Sequence, residues 1–406
     1  MKIPKTLGLL LCGASLLVIG KISWYLIYSA TSVTCLESKP EDTFSFGQAL
    51  AINDSYIAVG DPQANRVVIY NYDESKNRWS RAREIYPPDN SIIDRVGSGF
   101  GKHLVFNQNQ LIIGAYSGYV PSNVDEDAKR EYSDRGFVYS LQLGRENENA
   151  LKLIDLPKDI NPTGYAVNVF DNQLALQTTV RKDDTEKPDN VLIVNPDTLE
   201  VESIIKSPIV QGERADFGYG IAGNSQSLAI SAPNISTKGG VFIVDKQGKI
   251  ETIFISEIIP DSDTRKFNSP VAIGNEFLAI YSGGWNALLS IFRHSSSEWK
   301  ELYSTHLLGS LSVNESQLLF STARYPFDHG VLHRSPNHLL IEVRKNKAFV
   351  KSTIRWHWWY YGGSALAQGA INSKFLLLSR RGKAVLLKKN FLPSYYVINR
   401  SFCQEK

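Results

Sequence analysis

One unit recurs along this chain, and it limits the possible folds more than any other feature. The unit opens with Phe-Gly, runs through an apolar stretch, crosses a polar turn and enters a second apolar stretch that ends near a small residue. Phe46-Gly47 leads to Gly60, Phe100-Gly101 to Gly114, Phe217-Gly218 to Ser231 with Pro233 just after it, and Phe267-Asn268 to Tyr281. In all four the aromatic precedes the anchor residue by fourteen positions. Weaker copies open at Gly164-Tyr165, Leu308-Gly309 and Ala365-Leu366 and anchor on Gln177, Ser321 and Ser379. The seven anchors are spaced 54, 63, 54, 50, 40 and 58 residues apart, so no copy is missing between them. Self-similarity at such a period marks a repeat architecture.

Each unit continues into a third and often a fourth run with strand character, as in Arg66–Tyr72 then Trp79–Ile85, or Gly240–Asp245 then Lys249–Ile255. The turns between runs are rich in Asp, Asn, Gly and Lys, as hairpins demand. Four antiparallel strands per unit describe a propeller blade. The expectation is an all-β fold, a seven-bladed β-propeller of four-stranded antiparallel blades spanning 44–406, preceded by one N-terminal hydrophobic helix. A pair of β-sandwiches is the competing architecture, but sandwiches carry no fixed long period. Small anchors would let inner strands approach closely. The aromatic would pack between blades, and the following Gly would supply a turn conformation.

Phe-Gly, then Leu/Ile-Ala-Ile/Val-Gly/Ser-Ala/Asp-Pro, then Gly-Gly-Val-Phe-Ile or Gly-Phe-Val-Tyr, resembles the FG-GAP repeat of integrin α-subunit propellers. The fullest copy holds Phe217-Gly218, Ala229–Pro233 and Gly239–Phe242. The resemblance implies an exported adhesion or recognition module. It also implies calcium loops of Asp-x-Asp-x-Asp-Gly type. The matching stretches here, Ile52–Ser55, Phe106–Gln110, Phe170–Gln173 and Gly223–Gln226, are too short and too poor in acids for that, and read as tight turns. No cofactor is therefore expected. Asp125 and Asp127, in the acidic run 125–127, are the weak candidates for a cation; solvation is the plainer reading.

The N-terminus is basic through Lys2 and Lys5, then apolar over residues 7–20 and again over 22–30 after Lys21. Two readings stay open: a signal-anchor spanning the bilayer at about residues 7–28, or a signal peptide within 1–30 that is cleaved. Both export everything after a linker at 31–43 and give a membrane-anchored or secreted extracytoplasmic domain. Net charge divides sharply: residues 31–340 carry −11 and residues 341–406 carry +11. That balance excludes a globally basic nucleic-acid binder. The basic tail region, including Arg380-Arg381-Gly382-Lys383 and Lys388-Lys389, is either a solvated outer strand or an attractor of acidic partners. Cys35 and Cys403 flank the predicted ring and are expected to pair in an oxidising compartment; the alternative is two free thiols.

No nucleophile elbow, phosphate loop, His-Glu-x-x-His or Cys-x-x-Cys motif is present. The best binding candidate is Arg355, Trp356, His357, Trp358, Trp359, Tyr360 and Tyr361, where strand alternation would send aromatics to both faces. Exposed aromatics suit a sugar or protein partner; packing between blades is the plainer reading. Asn53, Asn234, Asn314 and Asn399 begin Asn-x-Ser sequons. The functional expectation is a non-catalytic binding or adhesion module that recognises a protein or glycan through loops of one propeller face. The alternative is a propeller enzyme acting on extracellular glycans or polymers.

Overall fold

A computed structural model describes residues 33–399, apart from 37–38, 40, 44, 89–98, 117–135, 145–150, 155, 157–160, 180–189, 208–215, 234, 236–238, 255–269, 283–287, 296–297, 307, 325–336, 345–346, 358–367, 381–382, 390–391 and 393–394. Within that range the chain builds seven antiparallel sheets, the blades of a β-propeller. Strands run a to d from the innermost outward. Blade one is Ala49–Ile52, Tyr56–Asp61, Arg66–Asp73 and Arg78–Ile85. Blade two is Phe100–Asn107, Gln110–Tyr116, Gly136–Gln142 and Lys152–Leu153. Blade three is Asn161–Phe170, Gln173–Thr179, Asn190–Val194 and Val201–Lys206. Blades four and five run from Ile221–Gly223 to Ile250–Phe254 and from Val271–Ile273 to Glu298–His306.

The repeat proves to be a structural register. Every anchor is the fifth residue of its strand b: Gly60, Gly114, Gln177, Ser231, Tyr281, Ser321 and Ser379. Strand b is buried on both faces, so its sequence reads as a continuous apolar run rather than an alternation. Alternate residues serve opposite seams. Ile57 and Val59 face blade seven, while Ala58 faces blade two. Each of the seven seams holds one hydrophobic cluster. Each fully buried Leu or Ile there contributes about 1.5–3 kcal/mol.

The Phe-Gly pair sits where the chain enters a blade and docks on the preceding one. Phe46, Phe100 and Phe217 are fully buried in the seams with blades seven, one and three. Gly47 has φ +85, and a Cβ there would lie 2.5 Å from Ser379 Cβ, the anchor of blade seven. Gly101 and Gly218, with φ +83 and +88, lie likewise against blades one and three: a Cβ on Gly101 would meet Val67, Arg66 and the anchor Gly60, and one on Gly218 would meet Val191 and the anchor Gln177. The Phe-Gly motif is thus an interface motif: the glycine lets one blade's backbone touch strands b and c of the preceding blade.

Ring closure departs from the expected four-strands-in-order scheme. Blade seven takes Gln368–Ile371, Phe375–Arg380 and Lys383–Lys388 from the C-terminal part of the chain. Its outer strand is Val33–Cys35, antiparallel to Lys383–Lys388, with Val33 opposite Leu387 and Cys35 opposite Val385. The stretch 31–43 is therefore not only a linker. Three residues are too few to display a strand period, and their partner is brought up by closure of the ring. Blade six has five strands, not four: Leu308–Asn314, Gln317–Arg324, Asn337–Arg344, Lys347–His357, and Tyr395–Asn399 paired parallel on the outer edge. The C-terminal strand thus covers an edge that would otherwise be open.

Lys39, Glu41 and Asp42, inside the same 31–43 stretch, bind blade one through a network of ions. Arg66 donates to Asp42 (2.6 Å), Asp61 (3.1 Å) and Glu84 (3.0 Å), with its side chain 4% exposed and those of Asp42 and Asp61 at 2% and 0%. Thr43 Oγ1 and Ser45 Oγ also donate to Asp61. Hydrogen bonds from Lys39 and Tyr86, with Arg81 close by, hold the Glu84 carboxyl down to about 2.

Candidate functional site

The a–b and c–d connections gather at one end of the ring, and every a–b connection is a turn of two or three residues. The b–c and d–a connections, which include 117–135, 208–215, 255–269 and 325–336, leave and re-enter the blades at the other end. At the short-turn end, asparagines organise the hairpins. In Asn53 and Asn224, Oδ1 accepts from the backbone N–H groups two and three residues on. Asn372 repeats the arrangement. This closes each turn without a metal-sized loop, and the stretches expected to be tight turns are so.

The spare amide protons of these turns cross the seams. Asn372 Nδ2 donates to Asn53 O of blade one (3.0 Å), and Asn53 Nδ2 to Gln108 O of blade two (2.6 Å). Asn107 Nδ2 donates to Asn172 O of blade three (3.1 Å), Asp171 N to Asn224 O of blade four (3.2 Å) and Asn224 Nδ2 to Gly274 O of blade five (2.7 Å). Asn275 N donates to Glu315 O of blade six (3.1 Å). Every bond runs from one blade to the next in the same sense. Asn53, one of the sequon residues, has both amide atoms engaged.

Between blades two and three this end opens into a cleft of about 1030 Å³. Eight of its seventeen lining residues are Asn or Gln. One group builds the wall. Gln110 Nε2 donates to Ser140 Oγ (2.7 Å) and Pro196 O (2.6 Å), and Asn107 spans the seam. Asn195 Nδ2 (2.7 Å) and Gln173 Nε2 donate to the two oxygens of Glu202. The other group, Gln108, Asn109, Gln142 and Asn172, lines the space with side-chain amides that have no partner among the described residues. Asp171 is paired with Lys246 at 2.6 Å. Lys152 and Asp197 stand at the rim, and Leu143, Pro196 and Leu199 supply the apolar lining. No group of His, Cys, Asp and Glu among the described residues is disposed to hold a metal ion.

Other predicted positions fare differently. Arg355, Trp356 and His357 end strand d of blade six, where Val397, Ile398 and Asn399 pair with them on the outer side. Trp358–Tyr361 lie outside the described residues, as do the apolar segment 1–30, Asp125, Asp127, Asn234 and Cys403. No helix among the described residues is long and apolar enough to cross a membrane. Cys35 is disulfide-bonded. Lys389, counted in the basic tail, is not a solvated charge: it is 6% exposed and donates to Asn372 O at 2.7 Å. Burial holds its ammonium down to about 8.

The cleft has no motif of its own in the sequence, where its amides have the pattern of turn residues. A signal existed: blades two and three are consecutive, and both of their a–b turns, Asn107–Gln110 and Asp171–Gln173, consist wholly of amide and acid side chains.

No family model matches the sequence, and no curated protein matches it. Solved structures do. A chain of a mitotic checkpoint complex is 10% identical with a TM-score of 0.52, covering 89% of this chain and 95% of that one. A streptogramin B lyase is 10% identical with a TM-score of 0.50, covering 89% of this chain and 99% of that one. The likeness is one of fold. A lyase and a checkpoint assembly share this architecture, so function must be argued from the site.

Proposed function

We propose that this chain is a membrane-tethered, extracytoplasmic binding module of the FG-GAP kind, non-catalytic, that takes its ligand in the cleft between blades two and three. The observation that carries the reading is the polarity of Val33–Cys35. Val33 lies opposite Leu387, near the short-turn end of blade seven, and Cys35 opposite Val385, toward the other end. An apolar anchor over about residues 7–28 therefore joins the ring at its short-turn end, with almost no intervening chain. The cleft then lies on the membrane side of the ring, and the long connections face away.

The disulfide of Cys35 supports an oxidising compartment. Cys403 is the partner that the topology favours. Strand Tyr395–Asn399 runs parallel to Lys347–His357 on blade six and ends where that strand ends, toward the long-connection side. Cys35 lies on the same side at the outer edge of the adjacent blade. A bond between them would tie both chain ends across the seam between blades six and seven.

Alkaline extraction of membranes from cells making the full chain, with protease accessibility of the propeller and non-reducing peptide mapping, tests the proposal. The expected result is an extraction-resistant chain, a propeller accessible from the non-cytoplasmic side and a Cys35–Cys403 peptide. Release of intact chain by alkali would overturn the tether. Free thiols at both positions would overturn the exported compartment.

A further inference from the structure

The cleft between blades two and three has a chemistry that selects among ligands. Among the described residues, the uncharged free groups facing it are the side-chain amides of Gln108, Asn109, Gln142 and Asn172. Each offers donors and an acceptor without charge. Its carboxylates are largely spent: both oxygens of Glu202 are taken by Asn195 and Gln173, and Asp171 is paired with Lys246. Among the described lining residues, an anionic ligand would meet three carboxylates, Asp171, Asp197 and Glu202, against one ammonium, that of Lys152. A cation would find two of the three acids already neutralised or hydrogen-bonded. The apolar lining is limited to Leu143, Pro196 and Leu199, too little for a lipid chain and enough for the C–H face of a ring. A volume of about 1030 Å³ admits a ligand at the upper end of the usual small-molecule range.

We infer that this cleft binds a neutral saccharide. A sugar hydroxyl both donates and accepts, and vicinal hydroxyls match the paired N–H and C=O of an amide. The wall that presents these amides is preorganised. Gln110 ties the turn of blade two to Pro196 of blade three, and Asn107 bridges the same seam, so the backbone that carries these amides is held in place before binding. The inference rests on the binding-module reading and specifies its ligand. The same chemistry has two sources: a free or wall-borne oligosaccharide, and the headgroup of a neutral glycolipid, which the proposed membrane side of the ring would favour.

The test uses the full-length chain in nanodiscs. Soluble neutral hexose and N-acetylhexosamine oligomers are titrated calorimetrically, and phosphatidylcholine vesicles with and without a neutral hexosyl lipid are tested by flotation. Asn109→Ala and Gln142→Ala alter exposed or half-exposed side chains with no internal partner, so the fold persists. Each is expected to weaken saccharide binding about tenfold. Preference for the vesicles assigns the lipid-linked source, and equal or better binding of free oligomers assigns the other. Binding that neither variant weakens, or saturable binding only of acidic sugars, overturns the inference. If no saccharide binds but a peptide does, and both variants release it, the saccharide assignment falls while the binding-module reading stands.

Discussion

The contact between Gly47 and Ser379 should be measurable as a free energy with its two causes separated. Gly47→Ala has to place a side chain at φ +85, which costs an L-residue about 1–2 kcal/mol. It must also fit a methyl whose carbon would lie 2.5 Å from Ser379 Cβ and 2.9 Å from Ser379 Oγ, an overpacking worth about 1–3 kcal/mol in a seam this tight. Gly248→Ala is the control. It has φ +78 and nothing within 4 Å of its Cβ, so it carries the backbone cost alone. Both substitutions restrict the unfolded chain, which offsets about 0.4–1 kcal/mol in each and cancels in the comparison. Gly47→Ala should therefore lose about 1–3 kcal/mol more than Gly248→Ala in equilibrium urea unfolding followed by tryptophan fluorescence, at an unchanged slope. Adding Ser379→Gly to Gly47→Ala should recover that excess as a coupling in a double-mutant cycle, and not the backbone cost. Equal losses for the two alanine variants, or a cycle with no coupling, would refute the claim that the Phe-Gly glycine exists to admit the neighbouring blade.

Arg66→Met removes the shared cation of two buried carboxylates and should cost about 3–5 kcal/mol in the same assay; a loss under about 1 kcal/mol would mean that Thr43, Ser45 and Arg81 suffice for Asp42 and Asp61. Asn224→Asp keeps the acceptor for Gln226 N and Ser227 N but turns an oxygen on Gly274 O, and should cost about 1–3 kcal/mol, with faster amide exchange in the turn of blade five. Lys389 has its ammonium lowered by burial from 10.5 to about 8, so the folded chain favours the neutral form. Its contribution is fully present above pH 10.5 and is lost as pH falls through that window to about 8. Lys389→Met should flatten the rise in urea midpoint between those pH values, and an identical slope in both proteins would show that Lys389 does not titrate there.

What the sequence disclosed and what it hid follow from how local each signal is. The seven anchors, even the degenerate Gln177 and Tyr281, were legible because strand b is enclosed by neighbours on both sides and tolerates little variation in length or polarity. The asparagine turns were legible as turns, since Asn and Asp bond their own backbone. Their second task, handing a proton to the next blade, was not, because the acceptor lies some fifty residues away in another repeat. Val33–Cys35 was read as linker for the same reason. Its identity as a strand depends on Val385–Leu387, at the far end of the chain. The parallel placement of Tyr395–Asn399 on blade six, although it follows blade seven in sequence, has no local signal at all. The cleft stayed hidden because its amides satisfy a hairpin pattern and a binding pattern alike, and composition does not tell the two apart.

The direction of Val33–Cys35 also decides how the ring would bear mechanical load. A pull on a ligand held by the propeller, resisted by an anchor beyond Val33, acts along the axis of this strand and of its partner Lys383–Lys388. The three residue pairs, Val33 with Leu387, Thr34 with Leu386 and Cys35 with Val385, are then strained in shear and must yield together. A pull across the strand would instead peel them one by one. A tether entering at the opposite end of the same strand would load the ladder from Cys35 and unzip it. The short strand that completes the ring is thus also aligned as the coupling through which the anchored molecule would transmit tension.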